Sequence, residues 1–204
     1  MLRKSSTCLA LLGAVTLLAL GAAAPAHAAS GGLCQLQGTA SFTPGLNNTA
    51  QNFSYSFSGS LSGCQSTDQT SPASGTVSAG QVVTGAGGEQ FQEPVATGNG
   101  TCANGTTSGV AIASWADGTQ TVVSYGTTAA AAAVKLTGFV VSSVTLAAIN
   151  PQPGQPTSET ITTTRYAGDQ AQGLLAFQAD PTQCSGSGLT SAGISGSIGL
   201  GSTS

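Results

Sequence analysis

The sequence predicts an all-β protein: an antiparallel β-sandwich of about eight to ten short strands, held by two disulfides. Three observations predict it. Apolar and small polar residues alternate with period two along most of the chain. Gly, Pro, Asn and Asp punctuate these runs where turns are needed. Cys34, Cys64, Cys102 and Cys184 follow an export signal, an even number of cysteines in a chain bound for an oxidising compartment. The expected arrangement is immunoglobulin-like or a related Greek key, with a closed β-barrel as the alternative.

Residues 1–28 have the zones of a secretory signal peptide. Arg3 and Lys4 precede an apolar stretch from Cys8 to Ala24, and Ala26-His27-Ala28 supplies the small residues of a cleavage site. Cleavage after Ala28 leaves residues 29–204 as a single β domain, secreted to the extracellular space. No later apolar stretch has spanning length, so no integral membrane segment is expected after cleavage. Losing Arg3 and Lys4 leaves seven acids against Lys135 and Arg165, a net charge of −5. Two isolated cations exclude nucleic acid as a partner, because displacing counterions needs clustered Lys and Arg. Attraction to anionic membrane surfaces is disfavoured for the same reason.

Segment 33–42 places Cys34, Leu36, Ala40 and Phe42 on one side. In 53–61 the odd positions are Phe53, Tyr55, Phe57, Gly59 and Leu61, and every even one is Ser. If 33–42 and 52–63 form a hairpin, their far ends bring Cys34 to Cys64 and leave Cys102 for Cys184. Zinc is the rival use of these cysteines, but there is no Cys-x-x-Cys pair and no His after position 27. Further strands are expected near 74–84, 134–147, 158–166 and 171–179, and Ala192 to Leu200 alternates again. Val134, Leu136, Val140, Val144 and Leu146 share one parity within 134–147.

Asp117-Gly118 reads as a two-residue type I′ turn. That register sets Ala116 opposite Thr119, Ile112 opposite Val123 and Val110 opposite Tyr125, with Trp115 on the other face. Pro151, Pro153 and Pro156 mark a loop. Ala129 to Ala133 is too short to nucleate a helix and reads as a loop or strand start. Cys64, Cys102 and Cys184 each precede a polar linker and an alternating strand, a beat that the low-complexity vocabulary explains as well as a repeat does.

Without histidine after the signal, Ser-His-Asp and Cys-His nucleophiles are excluded. Lys135 has no Ser-x-x-Lys ahead of it and reads as a solvated strand residue that limits edge pairing. Glu89 and Glu93 are the one carboxylate pair; extended, they lie about 13 Å apart, beyond the roughly 5–10 Å of glycosidase acids. Their segment reads as a solvated polar loop, Asp117 as a turn residue and Asp180-Pro181 as a strand exit. No Asp-x-Asp run points to calcium, and neither a metal nor another cofactor is expected. For binding, Trp115, Tyr125 and Tyr166 offer stacking faces and Arg165 a polar anchor. The competing assignments put Trp115 in the core and pair Arg165 with Asp169. Asn-x-Ser/Thr tripeptides at Asn47, Asn52, Asn99 and Asn104 are what so much Ser and Thr produces by chance.

The Ala-rich signal and the Ala/Gly/Ser/Thr/Val vocabulary resemble small secreted actinobacterial β-proteins. This likeness covers the whole chain and carries no site. Composition and acidity are also similar to antibiotic-carrying apoproteins of the neocarzinostatin type, which implies an immunoglobulin-like sandwich with two disulfides. That family's cysteines form two closely spaced pairs, unlike these four, so its chromophore pocket is not carried over. Pilus subunits are likewise exported and Cys-stapled, but the C-terminal Ile-Ser-Gly-Ser-Ile-Gly-Leu-Gly lacks their aromatic residue. The expected role is therefore a non-catalytic extracellular or cell-surface protein acting through binding or structure, with an extracellular ligand or surface as partner. A small-molecule- or carbohydrate-binding module is the first alternative and a carboxylate-dependent glycan hydrolase the second. Self-association through 53–61 follows if that strand lies at an edge.

Overall fold

The computed structural model describes residues 31–66 and 69–201; the expected signal segment 1–28 lies outside the described residues. Two long strands, β1 (Gly32–Leu46) and β2 (Gln51–Ser66), form the expected hairpin. Their alternation decides which side faces in: Leu36, Phe42, Phe53 and Leu61 are buried, while Ser58 and Ser60 face water. Next, β3 (Gly75–Ala79) pairs with β2. A meander of β7 (Asn104–Trp115), β8 (Gln120–Ala130) and β9 (Ala133–Val141) continues the same sheet. Then β12 (Gln170–Gln178) joins β9, and β13 (Leu189–Leu200) joins both β12 and β1. Because β1 is paired on both sides, the sheet closes into an eight-strand antiparallel barrel. Of the two all-β architectures considered, the chain adopts the barrel.

Glycine on the inward parity makes that closure feasible. Gly38, Gly59, Gly109, Gly138, Gly173 and Gly196 each occupy a lumen-facing position on a different strand, where the absence of a side chain lets a strand coil tightly. Aromatic rings then cover the bare backbone. The Phe57 ring lies over Gly38 and Gly59, which pair with each other across β1 and β2. Two disulfides hold the barrel ends: Cys34–Cys64 within the first hairpin, and Cys102–Cys184 across a separation of 82 residues. This is the pairing favoured by the hairpin geometry. Cys184 ends a short helix, α1 (Pro181–Cys184), absent from the sequence reading; Asp180 caps it by accepting from the Thr182 backbone N–H.

One stave of the barrel is split. Between β2 and β7 lie β3 and, beyond it, β6 (Ala96–Gly100), placed end to end. From Gly80, at φ +67°, the chain leaves the wall instead of continuing a strand to position 84. It forms the hairpin of β4 (Val82–Thr84) and β5 (Gln90–Gln92), then re-enters the wall at Ala96. The expected strand 134–147 also divides. After a bend at Ser142 its second half, β10 (Ser143–Ala148), joins β5 and β11 (Ser158–Thr162) in a four-strand sheet outside the barrel. Leu146 of that sheet packs with Phe91 against Ile112, on the outer face of β7. The shared parity of Val134 to Leu146 therefore serves two separate cores.

The Asp117-Gly118 turn is present but one residue longer than expected. The Trp115 N–H donates to Thr119 O, and the Gly118 N–H donates to Trp115 O, so Ala116, Asp117 and Gly118 form a three-residue loop with Gly118 at φ +82°. Ile112 consequently faces Val122, and Gly109 faces Tyr125. A one-residue slip moves every side chain to the other face: Trp115 and Tyr125 point inward together, and Ile112 points outward. Two smaller expectations are corrected as well. The 53–61 segment is flanked by β1 on one side and β3 and β6 on the other, so it presents no edge. Lys135 is solvated but lies on β9, between β8 and β12, and guards no edge.

A Cβ at Gly38 would lie 2.4 Å from Ser58 O and 2.5 Å from the Phe57 ring. Backbone cannot yield as a flexible side chain does, so Gly38→Ala is expected to destabilise by about 1–3 kcal/mol. Ser58→Ala, on the exposed side of the same pair, should stay within about 0.5 kcal/mol. Urea denaturation midpoints of the two variants check this.

Candidate functional site

One end of the barrel is plugged by residues that the sequence singles out. Trp115 is 5% exposed and belongs to the core with Cys34, Leu36 and Leu200. Its Nε1–H donates to Thr121 Oγ1 at 2.9 Å, and the Thr121 hydroxyl donates to Arg165 O. The Tyr166 ring meets Trp115 edge-on, with centroids 5.6 Å apart. Arg165 bonds Asp117 Oδ2 at 2.8 Å and Thr119 Oγ1 at 3.1 Å, and its guanidinium lies 5.8 Å from the Tyr166 ring centre. Its ionic partner is thus Asp117 and not Asp169, because the chain after β11 crosses this end of the barrel beside the 115–119 turn. The stacking surface expected of Trp115 and Tyr166 is not a surface: it is the floor.

Above that floor lies an apolar cavity of about 160 Å³. It exists because the inner faces are unequal. β1 and β2 project Leu36, Phe42, Phe53, Phe57 and Leu61, whereas β7 and β8 project Gly105, Thr107, Ala111, Ala113, Val123 and Ala129. Among these smaller side chains only Tyr125 of β8 is large, and it extends to meet Tyr55 of β2. The cavity extends to a rim where Thr101, Cys102, Gly105 and Ala131 line it. Ala131 sits in the β8–β9 turn at φ +52°, a left-handed conformation that disfavours residues with a Cβ. Among the described residues none that is charged lines the cavity.

Its polar feature is a chain of four hydroxyls. Tyr125 Oη lies 2.6 Å from Tyr55 Oη, which lies 3.1 Å from Thr107 Oγ1, which lies 2.7 Å from Thr127 Oγ1. Tyr55 stands where the partner of β2 changes from β6 to β3. The chain therefore bridges the split stave from inside, joining β2 to β7 and β8 where backbone pairing is interrupted. Burial raises the pKa of both phenols; for Tyr125 the neighbouring Tyr55 and the charge of Glu93 raise it further. Both remain protonated at neutral pH.

From outside, the same gap is closed by the segment read as a solvated loop. Glu93 is 1% exposed. Its carboxylate accepts from Ser78 Oγ at 2.5 Å and from the Gln81 backbone N–H at 3.0 Å. The Gln92 amide donates to the carbonyls of Gly80, Gln81 and Glu93. Glu89 lies at the tip of the β4–β5 hairpin and Glu93 at its base, so the two acids do not converge. Among the described residues no three His, Cys, Asp or Glu side chains gather as a metal site, and no helix is long and apolar enough to cross a membrane. Of the residues singled out for binding, Tyr125 reaches the cavity, while Trp115, Arg165 and Tyr166 build its closed end. Tyr55, Thr107 and Thr127 were missed. Their signal was Tyr and Thr on the inward parity of strands that are otherwise Ala, Gly and Val there.

Burial raises the Glu93 pKa above its ordinary 4.5, against the two bonds that lower it. A raised folded-state value means that the native state holds this proton longer than the unfolded chain does, so the contribution to stability falls as pH rises through that value. The stability of the wild type relative to Glu93→Gln is expected to decline as pH rises from about 4 through the raised folded-state value, read as the difference in urea midpoints. A rising difference would show that the site favours the carboxylate. Compared with protein-family models, with curated proteins and with solved structures, the chain matches none.

Proposed function

We propose that this is an extracellular, non-catalytic binding protein that takes a small apolar molecule into its barrel. The observation that carries the reading is the cavity of about 160 Å³ with its apolar lining. An apolar cavity of similar size in another protein stays dry and admits benzene. Eight-strand barrels have interiors that side chains either fill or leave to one small ligand, and the Gly and Ala residues of β7 and β8 leave this one open. The export signal read in residues 1–28 and the two disulfides support an oxidising, extracellular setting. The carbohydrate alternative relied on an exposed Trp115, which is buried. The glycan-hydrolase alternative relied on Glu89 and Glu93, which lie at opposite ends of a hairpin.

Melting of the 29–204 protein in the presence of toluene tests this. A ligand that binds the folded state alone raises the melting temperature, adding about 2.7 kcal/mol at a concentration of 100 times Kd. Ala111→Leu places a branched side chain in the cavity and should abolish the toluene response while leaving the protein folded. If toluene and naphthalene both leave the melting temperature unchanged, the lumen is not a binding site.

A further inference from the structure

We infer that the lumen selects neutral apolar molecules bearing one hydrogen-bond-accepting oxygen, such as a ketone or an ester, and that Thr127 at the end of the hydroxyl chain donates to it. This rests on the lumen reading above and names the ligand class for that site.

Tyr125, Tyr55, Thr107 and Thr127 contribute four O–H protons, and three hydrogen bonds join them. Each bond consumes one proton. Whichever way the chain is oriented, one proton remains for a group outside it. At the Tyr125 end there is little room: Tyr125 Oη lies 2.9 Å from where a Cβ on Gly109 would be, against the β7 backbone. The Thr127 end lies on the rim side, two residues from Ala129 and four from the Ala131 turn, and it lines the cavity. An acceptor placed there orients all four hydroxyls in one direction, from Tyr125 through Tyr55 and Thr107 to Thr127, and hydrogen bonds aligned in this way strengthen one another.

Bridging the split stave requires Tyr55, Tyr125 and Thr107, which connect β2 to its neighbours. It does not require Thr127. Thr107 and Thr127 already face each other in the β7–β8 ladder, so their side-chain bond adds no connection to the wall. A valine at 127 would fill the same volume, so neither packing nor the wall calls for the hydroxyl.

The charges around the lumen favour a neutral ligand. Lys135 faces solvent from β9 and Arg165 is bound to Asp117 beyond the floor, so no cation among the described residues faces the lumen. Glu93 stands close enough to Tyr125 for its charge to raise that phenol's pKa. A carboxylate entering the lumen would lose its hydration and meet no counter-ion. A neutral carbonyl loses less and gains the spare proton.

Ethylbenzene, acetophenone and benzoate are similar in size and differ in this chemistry. Calorimetric titration of each into wild type and Thr127→Val tests the inference. Thr127→Val should weaken acetophenone by about five- to tenfold, the worth of one neutral hydrogen bond, and leave ethylbenzene within about twofold. Benzoate should bind wild type at least about tenfold more weakly than acetophenone. The carbonyl stretch of bound acetophenone should lie at lower frequency in wild type than in Thr127→Val, a readout that a change in packing alone does not move. If Thr127→Val fails to fold, Thr127→Ser with Thr127→Ala replaces it, the serine retaining the preference and the alanine losing it. Equal effects on ethylbenzene and acetophenone, or benzoate binding as tightly as acetophenone, would overturn the hydrogen-bonding inference and leave the lumen reading intact. Failure of both neutral compounds to bind wild type would overturn the two together.

Discussion

Everything in this molecule depends on β1 pairing with two strands at once. Its Gly32–Leu46 ladder runs along β2 on one side and β13 on the other, joining the first strands of the chain to the last. An open sheet of this composition would expose two edges and an inner face carrying Leu36, Phe42, Phe53 and Leu61. Closure removes the edges and buries that face in one step. The Cys34–Cys64 bridge lies inside this first hairpin, and Cys102–Cys184 ties the β6–β7 turn to the segment preceding β13. The first cross-link therefore fastens a local hairpin, and the second joins segments 82 positions apart.

Closure leaves two consequences that the side chains must manage. The split stave between β3 and β6 interrupts the backbone ladder next to β2 and β7. Hydroxyls bridge it from within, through Tyr55, Tyr125 and Thr107, while Glu93 and Gln92 close it from without. The second consequence is the lumen itself. Glycines permit strong coiling, and the aromatic rings over them restore part of the lost packing, but the Gly and Ala residues of β7 and β8 leave a void.

Much of the strand content was legible from alternation, because an inward and an outward face impose period two wherever a sheet covers a core. The Phe53 to Leu61 run and both disulfides belong to that legible part. The errors came where period two carries no information about length or partner. Asp117-Gly118 signals a turn, but the extra residue came from the Trp115–Thr119 pairing and put Tyr125 on the face of Trp115 instead of that of Ile112. The parity shared by Val134 and Leu146 concealed a change of sheet at Ser142. Glu93 reads as a solvated acid in a Gly- and Pro-bounded segment, yet folding inserts it beside Ser78, fifteen positions earlier.

By itself the sequence determined the β class, the alternating faces of the first hairpin and of the last strand, a favoured cysteine pairing and the absence of imidazole chemistry after residue 27. These are local properties: they follow from residue type, short-range spacing and the geometry of one hairpin. Tertiary structure alone decided that the sheet is a barrel, that Trp115 is its floor, and that four hydroxyls from three strands line its lumen. Those outcomes depend on which strands become neighbours across long separations and on the register they adopt, and a period-two pattern is compatible with many such pairings.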